Sequence, residues 1–252
     1  MQKSYFEFAK FYDNLTENVD YKKRAEYFDT IIKKYKKTDK NLLLDLACGT
    51  GSLTEQMALL GYDCMGIDGS YEMLNEAFEK KMNSGLDIQY ICQDMREYEL
   101  YGCADVTICA LDSLNHLDSF DDVKKVFKQV WLSTENSGLF VFDMNSVYKH
   151  KEVLGNNTFI YDTEKVYCVW DNIYSENENR VDITLDFFEK QKDETYTRSG
   201  ESFSERAYEI EDVKKALDES GFNLIEIYKG DTFEKPDEKT ERIVYVSEKR
   251  NK

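Results

Sequence analysis

The chain has 252 residues, 41% hydrophobic and 14% aromatic, which suits one large domain or a domain with an insertion and excludes a mostly disordered chain. Asp+Glu 50 against Lys+Arg 33 gives a net charge of −17, which argues against general nucleic-acid or anionic-membrane binding, though not against a local basic groove. No apolar run approaches the roughly 20 residues of a membrane span, and the opening Met1–Glu7 lacks a signal-peptide core, so a cytoplasmic protein is expected.

Two helices are expected over 5–36, with Ala25, Phe28, Ile31, Ile32 and Tyr35 at helical spacing. After the basic connection Lys33–Lys40, the apolar run Leu42–Ala47 reads as a strand, Cys48–Gly51 as a turn and Leu53–Leu60 as a helix ending at Gly61. Strands then follow at Asp63–Ile67, Asp87–Cys92, Asp105–Leu111 and Gly138–Phe142, with helices at Tyr71–Met82 and Asp121–Leu132. Strand and helix alternate, and the strands lack in/out alternation, so the sheet is parallel and covered on both faces. Ligands of such sheets bind at the carboxyl ends of the strands. Beyond about residue 146 the pattern changes. Thr163–Asp171, Arg180–Glu189 and Thr195–Phe203 alternate apolar and polar residues, as in an antiparallel meander with one wet face. A helix around Val213–Leu217, stopped by Gly221, and strands Asn223–Tyr228 and Arg242–Val246 complete the layout. The six cysteines form no C-x-x-C, and His116 and His150 are the only histidines, so no metal site is expected. Cys64, Cys92 and Cys109 read as reduced core thiols.

Leu44-Asp45-Leu46-Ala47-Cys48-Gly49-Thr50-Gly51 places an acid inside the first strand and a glycine-rich turn after it. The glycines permit close backbone approach to a ligand. No Lys follows Gly51, and Thr54 stands where a dinucleotide fingerprint needs its third glycine, so the ligand implied is a nucleoside without phosphates. Asp68 ends the second strand about 20 residues on, the place of an acid that accepts ribose hydroxyls; it could equally cap the next helix, as could Ser70. Gln93-Asp94-Met95 after the third strand offers a carboxylate, a backbone N–H and an apolar side chain to an adenine.

Asp45–Gly51, Asp68 and Asp94-Met95 together resemble the class I S-adenosylmethionine-dependent methyltransferases. Tyr12-Asp13, Val19-Asp20-Tyr21, Leu111–Leu117 and Glu205–Tyr208 resemble a bacterial subgroup of small members with an inserted antiparallel lid. The resemblance implies a doubly wound, Rossmann-like α/β fold with seven strands in the order 3-2-1-4-5-7-6, strand seven antiparallel, and an antiparallel β insertion after strand five. Residues 1–149 and 206–252 would form the methyltransferase domain, and 150–205 the lid. The donor would contact Asp45, Ala47, Cys48, Gly49, Thr50 and Gly51 at its methionine end, Asp68 and Gly69 at the ribose, Gln93, Asp94 and Met95 at the adenine, and Leu111 and Asp112 from beneath. Ala47 replaces the family's commonest first glycine, and Phe203 stands where some relatives have a His.

On the acceptor side, His116 could be a base or a loop histidine. Tyr12 and Tyr21 could close over the donor or be helix core. Asn115, Arg206 and Tyr208 could line the cleft, with a salt bridge from Arg206 to Glu205 or Glu209 as the alternative. The expected activity is methyl transfer to N or O of a small molecule by a monomer or homodimer. The rivals are methyl transfer to protein or RNA, and a non-catalytic donor-binding module.

Overall fold

The computed structural model describes residues 6–16, 19–38 and 40–251. The Met1–Tyr5 part of the opening, read above for a leader, lies outside them. Helices α1 (Phe6–Leu15) and α2 (Tyr21–Tyr35) precede β1 (Leu42–Leu46), α3 (Ser52–Leu59), β2 (Asp63–Asp68), α4 (Tyr71–Ser84), β3 (Gln89–Cys92), β4 (Ala104–Cys109), α5 (Phe120–Ser133) and β5 (Thr134–Asn145). Then come β6 (Thr158–Asp162), β7 (Val166–Ser175), β8 (Arg180–Lys190), β9 (Tyr196–Arg206), α6 (Ile210–Glu219), β10 (Phe222–Lys229) and β11 (Arg242–Lys249).

The seven-stranded sheet runs β3-β2-β1-β4-β5-β11-β10, with β11 antiparallel to both neighbours, the order the resemblance implies. Its two faces are covered by separate cores. Phe28, Ile31 and Ile32 of α2 pack with Met57 and Ala77 on one face. Val123, Phe127 and Val130 of α5 pack with Val213 and Leu217 of α6 on the other. β1 is therefore nearly all apolar, and its single acid, Asp45, is only 2% exposed.

Between β5 and α6 lies a second sheet, antiparallel, in the order β6-β7-β8-β9. It has four strands rather than the three expected. β6 is an edge strand whose residues are all exposed or half-buried, so no strong apolar alternation marks it. Val181, Ile183, Leu185 and Phe187 of β8 are buried and meet Ala9, Phe11 and Leu15 of α1 and Met73 of α4. Phe11 and Phe187 rings lie 5.1 Å apart. The apolar face of the insertion thus covers α1, which lies between the second sheet and α4.

Three further expectations need correction. β5 is twelve residues long, because Thr134 pairs with Ala104 of β4 at one end and Asp143–Asn145 pair with β11 at the other. β4 stops at Cys109, and Leu111 and Asp112 take positive φ instead of extending it. Cys92 is exposed, while Cys48, Cys64, Cys109 and Cys168 are buried. Among the described residues no helix is long and apolar enough to cross a membrane.

Candidate active site

β1 delivers its carboxyl end to a turn in which Ala47, Gly49 and Gly51 have φ of 58°, 55° and 75°. The two glycines serve different purposes. A Cβ on Gly51 would lie 2.3 Å from the Tyr90 hydroxyl, so packing requires that glycine; a Cβ on Gly49 would meet nothing within 4 Å. Ala47 holds the left-handed conformation despite its methyl group, at a cost of about 1–2 kcal/mol.

Asp45 accepts a 2.6 Å hydrogen bond from Thr54 Oγ1. Burial raises its pKa to about 7; the Thr54 bond opposes the shift and the nearby Asp68 adds to it. Asp68 ties β2 to the glycine turn, accepting 2.8 Å bonds from the N–H groups of Gly49 and Ser70. The α4 cap is Ser70, whose Oγ accepts from the Met73 N–H. Burial raises the Asp68 pKa, although these N–H donors and His116 oppose it. Gly69 is exposed beside Gln93, the Gln93 amide oxygen accepts from the Glu99 N–H, and Asp94 accepts 2.9 Å bonds from the N–H and Nε of Arg96. Met95 is half-buried against the α5 side of the core.

Of the expected residues, Tyr12, Tyr21, Asp45, Ala47, Cys48, Gly49, Thr50 and Leu111 line one cavity of about 40 Å³, together with Ser52, Leu53, Ala110 and Ser113. Gly51, Asp68, Gly69, Gln93, Asp94, Met95, Asp112, Asn115, His116, Arg206 and Tyr208 lie outside its lining. Burial raises the Tyr12 pKa far above its ordinary value, with Tyr21 and Asp112 adding to it. α1 is latched over the turn. Asp13 accepts from Thr50 Oγ1 at 2.8 Å and pairs with Lys80, which also donates to Ser52 at 2.6 Å.

The corner after β4 is built on Asp143, which is wholly buried. It accepts the N–H groups of Leu111 and Asp112 at 3.0 and 2.8 Å, pairs with Arg24 at 3.1 Å and also pairs with Arg242. Asp112 meets Arg242 at 2.6 Å and accepts from Asn145 Nδ2 at 2.8 Å. Burial would raise its pKa, but Arg242, Lys149 and His116 outweigh that and hold the carboxyl well below its usual range. Asn115 donates to the carbonyls of Asn145 and Arg206 and accepts from the Asn145 N–H, so its amide clasps three segments.

His116 Nε2 lies 3.6 Å from Glu205 Oε1, and its ring packs on Phe203 at 5.2 Å. Arg206 pairs with Glu178 at 3.4 Å rather than with an adjacent Glu, and the Tyr208 ring lies tilted against Phe120 with centroids 4.7 Å apart. Among the described residues, Asp112, His116 and Glu205 are the one group of potential metal ligands gathered within 4.8 Å, and Arg242 and Asn145 already engage the Asp112 carboxylate. Sequence reasoning missed Arg24, Asp143, Asn145, His150 and Arg242. Asp143 carried the signal that exposed Asp45, an acid within an apolar strand. The arginines and His150 carried none, because their partners are distant in sequence.

The comparisons agree with this geometry. The family described as "Methyltransferase domain" matches residues 43–138. A putative methyltransferase of Geobacillus sp. (strain WCH70) is 30% identical over 98% of this chain and 100% of its own. The crystal structure of a S-adenosylmethionine-dependent methyltransferase from Clostridium acetobutylicum ATCC 824 superposes with a TM-score of 0.88 at 36% identity, covering 97% of this chain and 98% of that one. A glycine/sarcosine N-methyltransferase of Halorhodospira halochloris is 29% identical over 54% of this chain and 52% of its own. The glycine turn at the end of β1, the sheet order with an antiparallel β11 and full-length similarity to methyltransferases lead to one conclusion: the chain belongs to the class I S-adenosylmethionine-dependent methyltransferases.

Proposed function

We propose that this enzyme methylates a nitrogen or oxygen atom of a small molecule, with the β6–β9 sheet as a lid on the acceptor side. The observation that carries this reading is the clasp on α1. Phe11 of α1 packs on Phe187 of the second sheet while its neighbour Tyr12 lines the small cavity at the glycine turn, so the second sheet holds the helix that borders the site, an arrangement that favours a small acceptor over a bulky duplex. The Halorhodospira relative, a glycine/sarcosine N-methyltransferase, supports a small amine as acceptor.

The donor set fits S-adenosylmethionine. Gly49 presents an open face, and Asp45 and Asp68 stand at the ends of β1 and β2, as suits a cationic ligand with a ribose diol, while Asp94 after β3 is paired with Arg96. Asp45, Ala47, Cys48, Gly49 and Thr50 would hold the methionine end, with Gly51 supporting the turn from its packed side. Asp68 and Gly69 would take the ribose. Gln93, Asp94 and Met95 would take the adenine, and Leu111 and Asp112 would lie beneath the donor. When bound, the donor supplies an electrophilic methyl group on a positive sulfur. The chain's own part is to orient the two partners and exclude water: Tyr12 and Tyr21 close one side, and the Asp143-held corner fixes the other. An amine that arrives neutral needs little more, whereas a hydroxyl needs a base such as His116.

The test uses methyl-labelled donor in a cell extract separated by size. Label in the low-molecular-weight fraction is expected. Preferential labelling of RNA or intact protein would overturn the small-molecule reading and leave the methyltransferase activity standing. No transfer to any fraction would favour a non-catalytic donor-binding role.

A further inference from the structure

The chain has two histidines, and both converge on one carboxylate. Glu205, 3% exposed, sits one residue from the end of β9. Its Oε1 lies 3.6 Å from His116 Nε2, and its Oε2 lies 3.4 Å from His150 Nε2 and accepts from Asn145 Nδ2 at 3.2 Å. The neighbouring residues are locked as well: Asn115, beside His116, donates at 2.7 Å to the carbonyl of Arg206, beside Glu205. The contact between the 3-10 turn Ser113–His116 and β9 is therefore fixed at two adjacent points.

We propose that Glu205 is the positioning residue for His116, so that the second sheet supplies part of the proton-transfer geometry as well as a cover. This rests on the small-molecule reading above, with an amine as acceptor. The 3.6 Å separation is an ion-pair distance rather than a hydrogen bond; with the proton on Nε2, on the Glu205 side, the imidazole lone pair is on Nδ1. An acceptor that arrives as an ammonium gives one proton to that nitrogen. Its freed lone pair forms the N–C bond as the S–C pair departs with sulfur, which becomes a neutral thioether. The methylated nitrogen keeps the positive charge, and the imidazolium is stabilised by the Glu205 carboxylate. Asn145 donates to the other oxygen, and the buried His150 ring lies against it at 3.4 Å with its Nδ1 facing the Asn179 carbonyl. Of the other charged groups near this pair, Asp112 is engaged by Arg242, and Lys149 donates to Asn145 Oδ1. Arg206 turns outward to Glu178.

The test uses the full chain, methyl-labelled donor and the low-molecular-weight fraction of a cell extract as acceptor probe. Glu205→Gln keeps the shape and removes the charge. It is expected to lower turnover about 10²-fold, within the range of general acid–base catalysis, and to leave adenosylhomocysteine affinity within about twofold by calorimetry. His116→Ala should fall as far, and the double variant no further, because residues that act as a unit are not additive. Glu205→Asp should recover part of the loss. The second readout needs no acceptor. Long-range ¹H–¹⁵N spectra should show two imidazoles, with His116 in the Nε2–H tautomer, and that balance should move in Glu205→Gln. If Glu205→Gln does not fold, the wild-type tautomer decides. Unchanged turnover in Glu205→Gln, multiplicative losses in the double variant, or an Nδ1–H tautomer would each overturn the proposal. So would loss of turnover on chelation with recovery on adding a divalent cation, which would make the same side chains metal ligands. Label found only in macromolecules, with the tautomer as expected, would refute the small-molecule reading and leave the Glu205–His116 pair intact.

Discussion

Asp45 shows how one residue carries both a sequence signal and a chemical one. An acid in Leu42–Leu46 is conspicuous because burial penalises its charge, and in the structure that penalty lifts its pKa from 3.8 to about 7. The sign of the linkage follows. Between those two values the folded chain holds a proton that the unfolded chain has lost. The contribution of Asp45 to stability is therefore fully present below pH 3.8 and is lost as pH rises through about 7. A cationic donor favours the ionised form. Donor affinity is expected to rise with pH through about 7, with proton uptake by buffer on binding below that value, and Asp45→Asn should flatten the profile. Calorimetry in two buffers of different ionisation enthalpy measures both; an equally steep profile in Asp45→Asn would dissociate Asp45 from the donor. Asp143 was as legible as Asp45, but no glycine turn follows it. Its meaning depends on Arg24 and Arg242, which only the fold brings to it.

Among the elements, the turn after β1 is where sequence and structure agree most closely and also where they part. Both glycines were legible; their division of labour was not, since it depends on Tyr90 reaching across from β3. Gly51→Ala combines a left-handed alanine with an overpacked neighbour and should lower stability by about 2–4 kcal/mol. Gly49→Ala bears only the first cost, about 1–2 kcal/mol, but places a methyl group in the open face. Urea titration should rank Gly51→Ala as the less stable, while adenosylhomocysteine affinity, measured for the folded proteins, should fall further in Gly49→Ala. The same order in both measurements would mean that the donor does not lie against Gly49. Elements with an apolar periodicity were legible throughout: β1, β2, α5 and the buried face of β8. β6 was not, because an edge strand need not alternate strongly, and the corner at Leu111–Asp112 was not, because its backbone is bent by distant charge rather than by glycine.

For the whole molecule, the sequence implied a parallel core complete without its insertion, and the structure adds a dependence. α1 buries its apolar side on β8, so replacing residues 150–205 with a short linker removes its partner. The shortened chain is expected to retain a cooperative urea transition, to become protease-sensitive at α1 and to lose transfer activity. Loss of the cooperative transition would make the second sheet part of the folding core. The sheet order carries a consequence for synthesis. β11, the last strand in the sequence, lies between β5 and β10, and its first residue, Arg242, neutralises Asp143 and Asp112. While the nascent chain still lacks its final segment, β10 has no strand to pair with and the corner after β4 lacks one of its two arginines. The glycine turn and the first four parallel strands precede β11 in the chain, whereas the corner after β4 gains Arg242 only once β11 has emerged and paired with β5. The strand latest in the chain thus completes the charge balance of a corner laid down more than a hundred residues earlier.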